Sequence, residues 1–255
     1  MEELSNTQFL LVCLVFVWSG FVRSSLGFGG AALALPFLLL IDNNPLLYLP
    51  IVAIHLLIFS SLTMLSARKK IASVSHRPQI DWHYLKKSLT VMIIPKLIGV
   101  FGLLTLPINI LSTIIFVVIC IYAIGYLFNR VLVPENQKFD RLMLIIGGYI
   151  SGTSLVGAPL IVAIFTRHVA KEQLRDTLFF LWFILVAVKV SSFIFLGIDM
   201  QWQAQLWLLP CATLGHFLGL QAHSYIVDKD PVIFYRWIGA GLLCASTLGI
   251  AQSWL

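Results

Sequence analysis

"LMLIIGGYISGTSLVGAPLIVAIFT", residues 142–166, is a mostly apolar stretch whose centre, Ser151 to Pro159, is crowded with glycine and hydroxyl residues. By length it is one membrane span, since a hydrocarbon core of about 30 Å needs roughly 20 apolar residues of helix. By composition it is two short arms joined at "SGTSLVGAP" (151–159). Lysine and arginine arbitrate, because they accumulate in cytoplasmic loops. The loop 68–87 carries Arg68, Lys69, Lys70, Arg77, Lys86 and Lys87, and the loop 130–141 carries Arg130, Lys138 and Arg141. Two spans with the turn "LTLPIN" (104–109) between them join these loops, so both are read as cytoplasmic. If 142–166 crosses once, Arg167, Lys171, Arg175, Lys229 and Arg236 fall outside, giving nine loop cations inside and five outside. If it dips in and returns, all fourteen lie on one side, and the hairpin is the better reading.

The rest of the chain agrees with a polytopic membrane protein. Of its 255 residues 59% are hydrophobic and 11% charged, and a mean hydropathy of +0.94 is far above that of a soluble domain. Apolar runs fall at 9–41, 45–67, 88–104, 110–129, 142–166, 177–197, 203–223 and 237–255. The opening "MEELSNTQ" lacks the basic region and cleavage site of a removable signal, so the first run is expected to stay. A net charge of +6 does not point to nucleic acid, because the cations sit in short loops between spans. Cys13, Cys120, Cys211 and Cys244 lie inside apolar runs without metal-ligand spacing and are read as small core residues; no metal or cofactor is expected.

Setting Gly20 over Gly148 brings "GFVRSSLGFGGAA" over "GYISGTSLVGAPL", and "IPKLIGVF" (94–101) then falls over "PCATLGHF" (210–217), pairing Gly99 with Gly215. The chain reads as a duplication: an N-terminal repeat over 1–130, a cytoplasmic linker over 131–141, and a C-terminal repeat over 142–255. Each repeat is a broken, re-entrant hairpin plus three transmembrane helices, five passes in all, so the second is inverted relative to the first. The expected fold class is therefore all-α with two inverted-topology repeats and both termini outside.

Three cations lie away from the loops: Arg23 at the first hairpin tip, Lys96 in "IIPKLIG" and Lys189 in "VAVKVSS". A basic residue at a span centre costs roughly 2.5 to 3.5 kcal/mol. No carboxylate falls inside a span to pair with these, so the compensating anion is expected to be a ligand at one central site. Ser24, Ser25, Gly27, Gly29 and Gly30 at one tip, and Thr153, Ser154 and Gly157 at the other, are candidate contacts. The hydroxyls could equally cap broken backbone, and the glycines could equally serve helix packing. His55 and His216, both near mid-span, are candidate proton or substrate contacts, or polar packing residues. Oxygens of a sulfonate, sulfite or carboxylate would suit these donors alike.

The stretches "SSLGFGGAALALPFLL" (24–39) and "GGYISGTSLVGAPLIV" (147–162) resemble the two glycine-rich signatures of the TauE/SafE sulfite exporter family, and the likeness extends over essentially the whole chain. The resemblance implies a multi-pass transporter of the cell inner membrane that moves sulfite, an organosulfonate or a similar small anion by alternating access, with the bilayer as its other partner. An anion channel and a carrier for small carboxylates remain alternatives, and homo-oligomerisation is compatible with the sequence but not required by it. An enzyme is not expected: HExxH, GxSxG and paired intramembrane aspartates are lacking. The hairpin reading places residues 167–176 in the cytoplasm. A single cysteine at Lys171, in a cysteine-free background, should resist an impermeant thiol reagent added outside whole cells and react after lysis; labelling from outside would reverse the topology.

Overall fold

The computed structural model describes residues 4–26, 29–71, 80–128, 136–227 and 232–254. Every regular element among them is an α-helix: α1 Asn6–Leu26, α2 Gly30–Ile41, α3 Pro45–Ile71, α4 Trp82–Thr105, α5 Ile108–Phe128, α6 Gln137–Ser154, α7 Ala158–His168, α8 Lys171–Phe195, α9 Trp202–Val227 and α10 Val232–Trp254. Helix is what lipid demands of an apolar strand of chain, because it satisfies the backbone within the segment. Pro36, Pro50, Pro95 and Pro210 are all accommodated inside helices. Among the described residues five helices are long and apolar enough to cross a membrane: those spanning Asn6–Ser25, Pro45–Leu62, Trp82–Thr105, Ile108–Phe128 and Lys171–Phe195. The expected spans at 203–223 and 237–255 are helical over comparable lengths, with Gln203, Gln205, His216 and Gln221 on α9.

Residues 142–166 do fold back. The helix α6 ends where Leu155 turns left-handed (φ 61°), its N–H donating to the Ser151 carbonyl, and α7 restarts behind Gly157 with proline in its first turn. At the open end Arg167 and His168 hold Asp140 at 3.2 and 2.8 Å, so the two arms begin and finish side by side. The first hairpin is closed in the same way. Gln8 Nε2 donates to the Ile41 carbonyl at 3.1 Å, and Ser19 Oγ to the Gly30 carbonyl at 3.1 Å. With 12 and 11 residues, α2 and α7 are about 18 and 17 Å long, too short to cross by themselves.

The basic "loops" need correcting. Helices run past their apolar cores, so Arg68, Lys69 and Lys70 lie on the end of α3, Lys86 and Lys87 on α4, Lys138 and Arg141 on α6, Arg167 on α7, Lys171 and Arg175 on α8, and Arg236 on α10. A helix gains nothing by stopping where its hydrophobicity stops, since its last turns are solvated as readily as a loop. Arg77, Arg130 and Lys229 lie outside the described residues.

The helices gather into two compact units, and neither is one half of the chain. One comprises Met1–Ile51, Thr105–Leu132 and Asp199–Leu255; the other comprises Val52–Leu104 and Val133–Ile198, so that α3 is divided between them. In the first unit α1 and α9 meet backbone to backbone. A Cβ on Gly20 would run into the Ala212 carbonyl, one on Gly215 into that of Val17, and one on Gly219 into that of Phe21. Residue numbers rise together across this seam, so the two helices are parallel. Around them α10 packs antiparallel to α5, with Gly239 opposite Ala123 and Trp254 Nε1 donating to Thr113 Oγ1 at 3.0 Å. The helix α2, apolar on every side, is buried against α1, α5 and α10.

In the second unit the parallel seam joins α4 to α6. Gly148 faces the Met92 carbonyl, Gly152 that of Lys96, and Gly99 that of Tyr149. The unit's core is Leu85, Met92, Leu144, Ile161, Ile164, Phe165, Val169, Leu178, Leu181 and Leu185. Lipid offers no hydrophobic contrast between helix and solvent, so association rests on close approach, and small residues permit it. Gly215→Ala should therefore lower the thermal stability of detergent-solubilised protein by about 1 to 3 kcal/mol. Gly241→Ala, where an added Cβ meets nothing within 4 Å, should leave the melting temperature unchanged.

Candidate functional site

The second unit builds its hairpin tip around two lysines. Lys96 and Lys189 are both 0% exposed. An α-helix leaves its last four carbonyls without intrahelical donors, and at the end of α6 these belong to residues 151–154. Lys96 Nζ donates to the Ser151 carbonyl at 3.2 Å and to Ser151 Oγ at 3.0 Å. Lys189 Nζ donates to the carbonyls of Gly152 and Thr153 at 2.6 and 3.1 Å, and lies 5.4 Å from the centre of the Phe193 ring. Two ammoniums from different helices thus converge on three consecutive carbonyls. The partner that sequence reasoning sought in a ligand is supplied in the first instance by backbone, which a count of carboxylates does not register.

Charge balance is nevertheless incomplete. A helix C-terminus carries about half a negative charge, less than a single protonated lysine brings. Among the described residues the buried charged side chains are Arg23, Lys96, Asp140 and Lys189, and Asp140 sits at the far end of α6, occupied by Arg167 and His168. Among the described residues no buried carboxylate therefore reaches the tip to balance a protonated lysine there.

The hydroxyls next to it face backward. Thr153 Oγ1 and Ser154 Oγ both donate to the Ile150 carbonyl at 3.0 Å. Gly157, at φ −65°, has an ordinary helical conformation, but a Cβ there would run into the Gly147 carbonyl. Its requirement is packing of α7 against α6. Ser151, which sequence reasoning passed over, is the residue of this tip that contacts a cation through its side chain. Its place in the "SGTS" run, one turn before the helix break, was the available signal.

In the first unit Arg23 is buried on the last turn of α1. Ser24 Oγ is hydrogen-bonded to His216 Nδ1, joining α1 to α9, and Ser25 Oγ donates to the Val22 carbonyl at 3.3 Å. Gly29 has φ +84° with no crowding at its Cβ position, so its requirement is conformational. Gly30 is confined by the Ser19 carbonyl and Arg23 Cβ. Gly27 lies outside the described residues. His55, on α3, is buried and belongs to the second unit. The sequence-derived set is thus divided: Lys96, Lys189, Thr153, Ser154 and Gly157 are brought together in one unit, and Arg23, Ser24, Ser25, Gly29, Gly30 and His216 in the other.

Long apolar helices and two folded-back hairpins define a multi-pass α-helical membrane protein, with buried cations at the hairpin tips. The chain belongs to the sulfite exporter TauE/SafE family, whose model matches residues 12–250, and with that family it is a membrane transporter. Neither a curated protein nor a solved structure matches it.

The two tip glycines should respond differently to substitution. At Gly29, asparagine, which tolerates positive φ, should keep more of the melting temperature than valine, where the left-handed conformation costs about 1 to 2 kcal/mol. At Gly157 alanine should already destabilise by about 1 to 3 kcal/mol and asparagine should do no better, because the obstacle is a neighbouring carbonyl. Thermal denaturation of the four purified variants checks both.

Proposed function

We propose that this transporter moves a small sulfur oxyanion, sulfite or an organosulfonate, by alternating access, and that its cationic hairpin tips recognise the substrate. The observation that carries the reading is the pair of fully buried lysines, Lys96 and Lys189, held by backbone carbonyls and the Ser151 hydroxyl at the end of α6. An ammonium has three N–H donors, and here two of each are committed. One donor on each lysine, and more positive charge than the helix end balances, remain to receive oxygens of an anion. Arg23 supplies the corresponding charge in the other unit, with the hydroxyls of Ser24 and Ser25 beside it. Family membership supports the sulfur-containing substrate class.

A divalent anion leaving a cell that is negative inside gains about 4.6 kcal/mol per 100 mV. Export therefore needs no coupling ion, and the reading assigns none.

Uptake and counterflow of radiolabelled sulfite in proteoliposomes test the proposal. Lys96→Met and Lys189→Met should each weaken apparent affinity about tenfold to a hundredfold, the equivalent of about 1.5 to 3 kcal/mol for a lost charge-assisted contact. Both substitutions also strip a cap from α6, so melting temperatures are read on the same preparations. Lower stability with unchanged sulfite affinity would confine the lysines to capping. Counterflow marks a carrier and its absence a channel, while competition by a small dicarboxylate as strong as that by an alkyl sulfonate would overturn the substrate class.

A further inference from the structure

A second basic site lies at the opposite end of the second unit from its tip. The first turns of α4 and α6, which run parallel, and the end of α7 enclose a cavity of about 500 Å³ lined in part by His83, Lys87, Lys138, Arg141 and His168. Two carboxylates, Asp81 and Asp140, also face it, but both are occupied. Asp81 Oδ1 caps α4 by accepting from the Tyr84 N–H at 2.9 Å, and Asp140 holds Arg167 and His168. Lys87, Lys138 and Arg141 form no ion pair among the described residues, so three positive charges face the cavity against Asp81, the one carboxylate of its lining that is not paired with a cation. The N-termini of α4 and α6 open toward the same end and add their positive dipoles.

The depth of the cavity is marked by aromatic residues. Trp82, 45% exposed, packs edge-on against Phe180, and Tyr84 stacks on the His168 ring at 4.9 Å. Tryptophan and tyrosine concentrate at headgroup level, where an amphipathic ring meets both phases. Val91 and Leu144 supply an apolar inner wall. A basic pocket between membrane helices at that depth has the character of a site for a phosphate group.

We infer that this cavity binds a phosphate-bearing anion through Lys87, Lys138 and Arg141, separately from the hairpin tip. The phosphate comes either from an anionic phospholipid headgroup or from solution, and the experiment distinguishes the two. Delipidated full-length protein in detergent is titrated with phosphatidylglycerol, with diacylglycerol of the same chains, and with inorganic phosphate, reading the melting temperature. Phosphatidylglycerol, phosphate or both should raise it, and diacylglycerol should not. The titration midpoint should be at least about tenfold higher in Lys87→Gln/Lys138→Gln/Arg141→Gln, as the loss of charge-assisted contacts requires. It should be unchanged in Lys86→Gln, which removes an exposed charge of α4 outside the cavity lining. A response to phosphatidylglycerol alone assigns the lipid as source, and a response to inorganic phosphate assigns the soluble ion. If the triple variant gives no folded protein, the single variants Lys138→Gln and Arg141→Gln carry the comparison, each with a smaller rise in midpoint. No stabilisation of the wild type, equal stabilisation by diacylglycerol, or an unchanged midpoint in the variants overturns the inference.

Discussion

Everything in this protein turns on the need for backbone carbonyls and N–H groups to find partners where there is no water. A continuous helix meets that need by itself, but α6 stops at Ser154 in mid-sequence and leaves carbonyls open. The chain answers with Leu155 N–H on Ser151 and with two lysines sent in from α4 and α8. The break and the cations stabilise each other: without Lys189 the Gly152 and Thr153 carbonyls would lose their donor, and without the carbonyls the lysines would be polar groups in a medium that excludes them.

The same need limits how the helices pack. Because α4 must deliver Lys96 to the end of α6, the two helices have to approach closely along their length, and Gly99, Gly148 and Gly152 make that approach sterically open. The counterpart in the first unit is the α1 and α9 seam, with Gly20, Gly215 and Gly219 clearing the way and the Ser24 to His216 hydrogen bond crossing it. In both seams a hairpin arm from one half of the chain is parallel to a long helix from the other. The compact units therefore cut across the order of the sequence.

One set of side chains thus has two tasks in the proposed mechanism. Lys96 and Lys189 cap a helix end whose half charge does not neutralise even one protonated lysine. A small anion arriving at the tip would complete the balance without displacing the caps, which suits a site that must bind weakly enough to release its cargo.

Much of the fold was legible in one dimension. Hydropathy along the chain located nearly every helix, and the glycine and hydroxyl runs located both breaks, because apolarity and turn chemistry are properties of residue types read in order. The distribution of lysine and arginine favoured a folded-back 142–166 over a single crossing, and the Asp140, Arg167 and His168 cluster closes that hairpin. Arg23, Lys96 and Lys189 stood out for the same reason: a cation in an apolar run is conspicuous anywhere. What those cations touch was not legible, since the groups that receive Lys96 and Lys189 are carbonyls, which every residue possesses and no residue name reveals. Nor could spacing separate Gly29, which serves a left-handed turn, from Gly157, which makes room for a neighbouring backbone. That distinction exists only once a second helix lies alongside, so tertiary structure alone decides it.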